Sequence, residues 1–264
     1  LEGSYTIAET LRAVRDNPDI GAIVLRLETP GGSSMAADVM WREVKLAAQR
    51  KPVIVSMGAV AASGGYYIAS PATRIFASPL TVTGSIGIFY GKADVSQLLG
   101  KIGINVETFK TSERADAESI FRPFTPEERV ELEHKVGQFY DVFLDRVAQG
   151  RNMTKQAVNA VGEGRVWTGE QAKEHGLVDE LGGLRQALDY ALSAGHLPAD
   201  APIIELPEIQ TSFLSRVLGI PGIHESVLSE LPPSVSGVLK AVGPFVVHAG
   251  DQPLARMEFT ALPQ

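Results

Sequence analysis

An α/β fold built on a parallel sheet is what this sequence predicts, from two observations. Apolar runs of strand length, Ile20 to Leu27 and Val53 to Met57, each lead into a glycine-bearing turn and then into a stretch patterned as a helix. Strands alternating with helices in this way form α/β layers whose ligand sites lie at the carboxyl ends of the strands. The second observation is the placement of the glycines. Gly31-Gly32 and Gly64-Gly65 each stand between a strand and a helix, so both turns belong on the same edge of the sheet.

Taken in order, Thr6 and Glu9 match a capping box opening a short amphipathic helix with Leu11 and Val14, closed by Asn17-Pro18. The β-branched run from Ile20 to Leu27 fits a buried strand. A helix follows the first glycine turn through Met35 to Gln49, and Lys51-Pro52 restarts the chain as the strand leading to Ser63. Arg74 to Ala77 is a short strand, and Thr83 to Phe89 is apolar with glycines that permit close backbone approach. Asp94 caps a helix through Leu99, Asn105 to Phe109 is a further strand, and the polar stretch Lys110 to Phe124 reads as a mobile loop at the rim of a site.

Thr125-Pro126-Glu127-Glu128 combines a cap, a proline at the first helical position and acidic residues in the first turn. The long helix it opens carries Val130, Leu132, Val136, Phe139, Tyr140, Phe143 and Val147 and runs to Gly150, a stripe suited to a core or a subunit interface. Shorter helices follow over Thr154 to Val161, from the Thr168 cap to His175, and up to Gly195. Beyond Pro198 prolines recur among short apolar pieces with few charges. We therefore read residues 1–195 as one domain and 196–264 as an appendage that packs on a neighbour.

The 264 residues are 44% hydrophobic and 21% charged, as in an ordinary globular protein with a sizeable core. A net charge of −7 offers no electrostatic footprint for nucleic acid. The lack of cysteine removes disulfides, thiolate metal sites and a cysteine nucleophile. His134, His175, His196, His224 and His248 never pair at ligand spacing, so no metal is expected. Nor does any run reach the ~20 apolar residues of a membrane helix. The chain opens at Leu1 directly on a helix signal, and reads as a piece of something longer.

Ser63 is the residue on which the functional reading turns. It stands between a strand and a helix among small residues, in Ala62-Ser63-Gly64-Gly65-Tyr66-Tyr67, where its hydroxyl would be exposed and neighbouring N–H groups would face an oxyanion. The same residues also suit a packing site with Ser63 as a simple helix cap.

Four motifs in register tip that balance: Thr29-Pro30-Gly31-Gly32, the Ser63 element, Thr83-Gly84-Ser85-Ile86-Gly87, and Gly164-Arg165-Val166-Trp167-Thr168-Gly169 followed by Gly176-Leu177-Val178-Asp179. On these the chain closely resembles the signal peptide peptidase family of bacterial serine proteases, over roughly residues 20 to 190. The resemblance implies a Clp/crotonase-like fold of stacked ββα units. It further implies hydrolysis of cleaved signal peptides by a Ser-Lys dyad, a ring of subunits, and attachment to the membrane of the bacterial cell envelope by a segment outside this chain. Carried over residue by residue, it makes Ser63 the nucleophile, Gly32 and Gly64 the oxyanion-hole donors, Gly31 the support of that turn, and Ser85 the serine that orients the lysine. No cofactor is implied.

The lysine itself departs from the pattern. In single-repeat members it lies in the loop after the strand matched by Val106 to Lys110, and register places it on Ala115, which takes no proton. Lys110 is the nearest substitute. In double-length members an N-terminal half supplies the lysine and the C-terminal half the serine. The expectation is thus that this chain is such a C-terminal half, whose partner is the N-terminal half of the same protein. Two readings stand against it: a noncatalytic assembly domain of a ring oligomer, and an acyl-CoA enzyme of crotonase type.

Overall fold

The computed structural model describes residues 3–206, so most of the expected appendage (residues 207–264) lies outside the described residues. In chain order the elements are α1 (Ser4–Asp16), β1 (Ile23–Thr29), α2 (Ser34–Ala48), β2 (Val53–Ala62), α3 (Gly64–Ala69), β3 (Arg74–Ala77) and β4 (Val82–Gly84). There follow α4 (Ser96–Lys101), α5 (Pro126–Arg151), α6 (Lys155–Val161), β5 (Val166–Thr168), α7 (Gly169–Glu174), β6 (Glu180–Leu181) and α8 (Leu184–Ala194). The sheet runs β5-β4-β2-β3-β6 with β1 also on β2, parallel throughout except where β5 meets β4.

β2 organises the sheet because it changes partners along its length. Its first half pairs with β1 and β3, and its last three residues pair with β4. Both of its faces are covered. Val53, Val55, Met57 and Ala61 enter the larger core with Trp41 and Val44 of α2, Tyr66 and Tyr67 of α3 and Phe143 and Val147 of α5. Ile54 joins Phe76, Ala187 and Ala191 in a smaller cluster beneath α8. Double burial is why this strand is mostly apolar, with the buried Ser56 hydroxyl accepting a hydrogen bond from Arg26.

The change of partner coincides with a bulge. The β1–β2 register slips between Leu27 and Thr29, and the intervening Glu28 turns its carboxylate to accept the N–H groups of Ala59 at 2.9 Å and Val60 at 3.1 Å. Gly58 makes room for it, since a Cβ there would overlap the Glu28 carboxylate. Beyond the bulge the β1 ladder resumes at Thr29 and Ala61, and β4 takes the place of β3 on the opposite edge of β2.

α1 begins before the Thr6–Glu9 pattern, with Gly3 as an N-cap that has no side chain to offer. The expected capping box is therefore ordinary helix interior. What holds α1 is Glu43 of α2, 1% exposed, which accepts from Arg12 at 2.9 Å and Arg15 at 3.1 Å. Burial works to raise the Glu43 pKa, and the bond from Arg12 together with the Arg42 and Arg15 charges outweighs it and holds the carboxyl low.

No strand forms over Asn105 to Phe109; Phe109 is 92% exposed. Its alternating pattern is real, but among the described residues no strand pairs with it, and an unpaired segment has no ladder to join. The apolar piece Thr83 to Phe89 is likewise strand only as far as Gly84. The long helix is as expected at its start, where Thr125 and Glu128 form a capping box, but it runs through Gly150 to a left-handed Asn152. Gly150 is an approach point instead of a stop, because any side chain there would strike the Ser70 carbonyl at the end of α3. The apolar stripe divides in two: Phe143, Leu144 and Val147 are buried, whereas Val130, Phe139 and Val142 face outward.

Candidate active site

At the end of β2 the backbone of Ser63 takes φ 51° and ψ −117°, a region that L-residues enter only under constraint. The constraint is visible on both sides. Its N–H donates to the Gly84 carbonyl at 2.9 Å, and its carbonyl accepts the Tyr67 N–H at 2.8 Å. Ser63 occupies the N-cap position of α3, yet its side chain makes no capping hydrogen bond. Ser33 shows the contrast, since its hydroxyl accepts the Ala36 N–H at 3.3 Å and caps α2. Strain at a strand-to-helix turn that leaves a serine hydroxyl half-buried and unengaged is the geometry of a nucleophile elbow.

The two glycine turns meet at this point. A Cβ on Gly31, whose φ is +108°, would lie 2.8 Å from both the Gly64 nitrogen and the Ser63 Cβ. A Cβ on Gly64 would lie 3.3 Å from the Gly32 nitrogen. The Gly31 N–H is already donated to Thr29 Oγ1 at 3.1 Å. Among the described residues neither the Gly32 nor the Gly64 N–H has an acceptor, which leaves these two donors beside Ser63.

Ser85 joins the same edge through its neighbour, since Gly84 accepts the Ser63 N–H and Ser85 donates its own N–H to Arg165 at 2.8 Å. Ser85 also has a positive φ, 49°. The Arg165 to Thr168 motif is the wall behind this turn: a Cβ on Gly84 would sit 2.7 Å from Trp167. Asp179 of the last motif is a brace away from the turn, accepting the Ile75 N–H at 2.7 Å and Arg151 at 2.6 Å.

Ser63, Gly31, Gly32, Gly64 and Ser85 are thus brought together, and Lys110 is not. Its Nζ donates to the Glu113 carbonyl at 2.9 Å and to Asp116 at 3.1 Å. Among the described residues no lysine amine hydrogen-bonds to Ser63 or Ser85. Ala115 lies in the adjacent turns, which are irregular as expected but are staked to α5 through Arg122, bonded to Asp116 at 2.9 Å and to Glu128 at 2.6 Å. The bond from Arg122, then that from the Thr125 N–H, holds the Glu128 carboxyl down at about 2, and Arg122 with Lys110 holds Asp116 well below its ordinary range.

Sequence reasoning missed the side chains that tie the helices behind the turn, Asp38 of α2, Tyr67 of α3 and Arg146 of α5. Only Tyr67 carried a signal, one helical turn after Ser63 in the same motif. Among the described residues no acidic or histidine cluster fits a metal, and no helix is long and apolar enough to cross a membrane.

The profile of Peptidase family S49 matches residues 45–195, a segment that contains Ser63, Gly64 and Ser85. The chain is 40% identical over 245 residues to "Serine protease SPPA, chloroplastic" of Arabidopsis thaliana, covering 87% of this chain and 36% of that protein. It is 37% identical over 238 residues to "Protease 4" of Salmonella typhi, covering 90% and 36%. It is 34% identical over 210 residues to "Putative signal peptide peptidase SppA" of Enterococcus faecium, covering 79% and 61%. The chain thus spans about a third of the length of the first two relatives. With its α/β architecture, curled sheet and ClpP/crotonase-like fold, the chain belongs to peptidase family S49.

Proposed function

We propose that this chain carries the nucleophile and oxyanion hole of a serine peptidase whose general base is a lysine from outside these residues. The observation that carries the reading is Ser63: its backbone is strained, its hydroxyl is free of capping, and two unengaged N–H groups lie beside it. The Ser63 Oγ attacks a peptide carbonyl while its proton passes to the neutral lysine amine, and the Gly32 and Gly64 N–H groups hold the resulting oxyanion. Collapse breaks the C–N bond, and the ammonium returns the proton to the departing amine. Water then hydrolyses the acyl-enzyme by the same route in reverse. Ser85 holds the lysine amine toward Ser63.

The name of the Enterococcus faecium relative supports signal-peptide remnants as substrates, and the reading places the enzyme in the bacterial cell envelope with membrane attachment through a segment beyond this chain. The lysine comes from an N-terminal half of the same protein, within a ring of subunits.

A serine-directed fluorophosphonate applied to the full-length protein tests this. The label maps to Ser63, Ser63→Ala abolishes both labelling and peptide cleavage, and Lys110→Met leaves both unchanged. Absence of label at Ser63 overturns the peptidase reading in favour of an assembly domain. Efficient cleavage by residues 1–264 alone overturns the external lysine.

A further inference from the structure

The structure assigns to Tyr67, Asp38 and Arg146 a positioning role: together they set the spacing between the turn that bears Gly32 and the turn that bears Ser63 and Gly64. The inference rests on the peptidase reading. Tyr67 is tied to the elbow directly, since its N–H is donated to the Ser63 carbonyl at 2.8 Å. Its buried ring packs on Phe143 of α5 at 4.7 Å between centroids and meets Trp41 of α2 edge-on at 6.4 Å. Its hydroxyl donates to Asp38 Oδ1 at 2.7 Å, and the same oxygen accepts the Arg146 Nε–H at 3.0 Å. The Arg146 guanidinium in turn lies 4.1 Å from the Trp41 ring centre.

One carboxylate oxygen therefore joins three helices. α2 begins just after Gly32, α3 begins at Gly64, and α5 clamps both from behind. At the turns themselves the contact between α2 and α3 is Ala37 against Gly64, with 3.6 Å from a Cβ on the glycine. Apolar contact of that kind resists separation but permits sliding, whereas a hydrogen bond loses its strength over a few tenths of an ångström. An oxyanion needs both donors within ~2.7–3.1 Å, so it is sliding that must be stopped. Burial first, and then the bond to Asp38, raise the Tyr67 phenol above its ordinary range and keep it a donor. None of the three side chains lies in the turns, so all act through the helices.

Tyr67→Phe removes one oxygen and keeps the ring contacts. In the full-length enzyme we expect kcat for peptide cleavage, per fluorophosphonate-titrated site, to fall by about tenfold to a hundredfold with KM within about twofold. Asp38→Ala does the same, and Asp38→Asn, which keeps an acceptor oxygen, recovers most of the loss. Tyr67→Phe combined with Asp38→Ala is no worse than Asp38→Ala alone, because that variant has already lost the Tyr67–Asp38 bond. Wild type and Ser63→Ala are run alongside. A wild type that neither labels nor cleaves defeats the peptidase reading itself. A working wild type matched within twofold by Tyr67→Phe and Asp38→Ala, or a loss accounted for wholly by fewer titratable sites, defeats the positioning role.

Discussion

Gly31→Ala isolates the contact between the two glycine turns. The substitution meets two obstacles. At φ +108° an alanine is strained by about 1–3 kcal/mol. Its Cβ would also lie 2.8 Å from the Gly64 nitrogen and the Ser63 Cβ and 3.0 Å from the Ala62 carbonyl, none of which swings aside as a long side chain does. Retreat from 2.8 Å to ordinary contact near 3.4 Å moves the turn by about 0.6 Å. The window that an oxyanion donor tolerates is only about 0.4 Å wide, so one donor is lost and kcat falls by about 10²- to 10³-fold. At ~2–4 °C per kcal/mol the same strain lowers Tm by roughly 5 °C. Gly64→Ala is the control, since its nearest neighbours lie at 3.3 and 3.4 Å and its φ is not in the left-handed region. The assay is the rate of fluorophosphonate acylation of the full-length protein, with Tm by calorimetry. Acylation of Gly31→Ala within threefold of wild type, or greater harm from Gly64→Ala, refutes the packed-turn argument.

Three further outcomes follow from the same structure. Ser63→Gly relieves the φ 51°, ψ −117° strain that Ser63→Ala retains; less the added unfolded-chain entropy of glycine, it is expected to be more stable by about 1 kcal/mol, with neither variant labelled, and equal Tm values would show there is no strain. Asp116 and Glu128 are depressed when folded, so their network contributes fully above the ordinary carboxylate range and is lost as pH falls from there through about 2 for Glu128. Hydrogen exchange of residues 110–124, corrected for intrinsic rate, should thus be flat from pH 7 to 5 and rise in acid; protection unchanged at pH 2 contradicts the assignment. Gly58→Ala displaces the Glu28 carboxylate from the Ala59 and Val60 N–H groups and costs about 1 kcal/mol, a cost that disappears in a Glu28→Ala background if the overlap is its cause.

The strand-turn-helix frame was legible because β2 is buried on both faces over most of its length and therefore mostly apolar, and because glycine pairs stand where the chain must turn sharply. The caps at Thr125 and Thr168 were legible for a related reason: a capping box is complete within four residues. Asn105 to Phe109 misled because alternation records the capacity to pair, and pairing also needs a neighbour that the local sequence does not specify. The Thr6–Glu9 pattern misled because α1 is anchored by Arg12 and Arg15 on Glu43, 31 and 28 residues away, and needs no side-chain cap. The Asp38 links to Tyr67 and Arg146 span 29 and 108 residues, beyond any local pattern. Nor did the sequence reveal that Ser63 leaves its capping role vacant, since a serine before a helix reads alike whether or not its hydroxyl turns inward.

Gly150 carries a mechanical implication. Its lack of a side chain lets α5 rest backbone to backbone on the end of α3, with nothing compressible between. The rest of this rod, 26 residues and about 39 Å in all, runs on to an N-terminal half where Val130 and Phe139 face outward and Glu128 is held by Arg122. It is a stiff beam with a hard pivot six residues from the serine's turn, counted from Ser70 back to Gly64. A load on the far end would therefore reach the Ser63 turn with little damping, so a contact made there could shift the spacing of the two glycine turns without touching them.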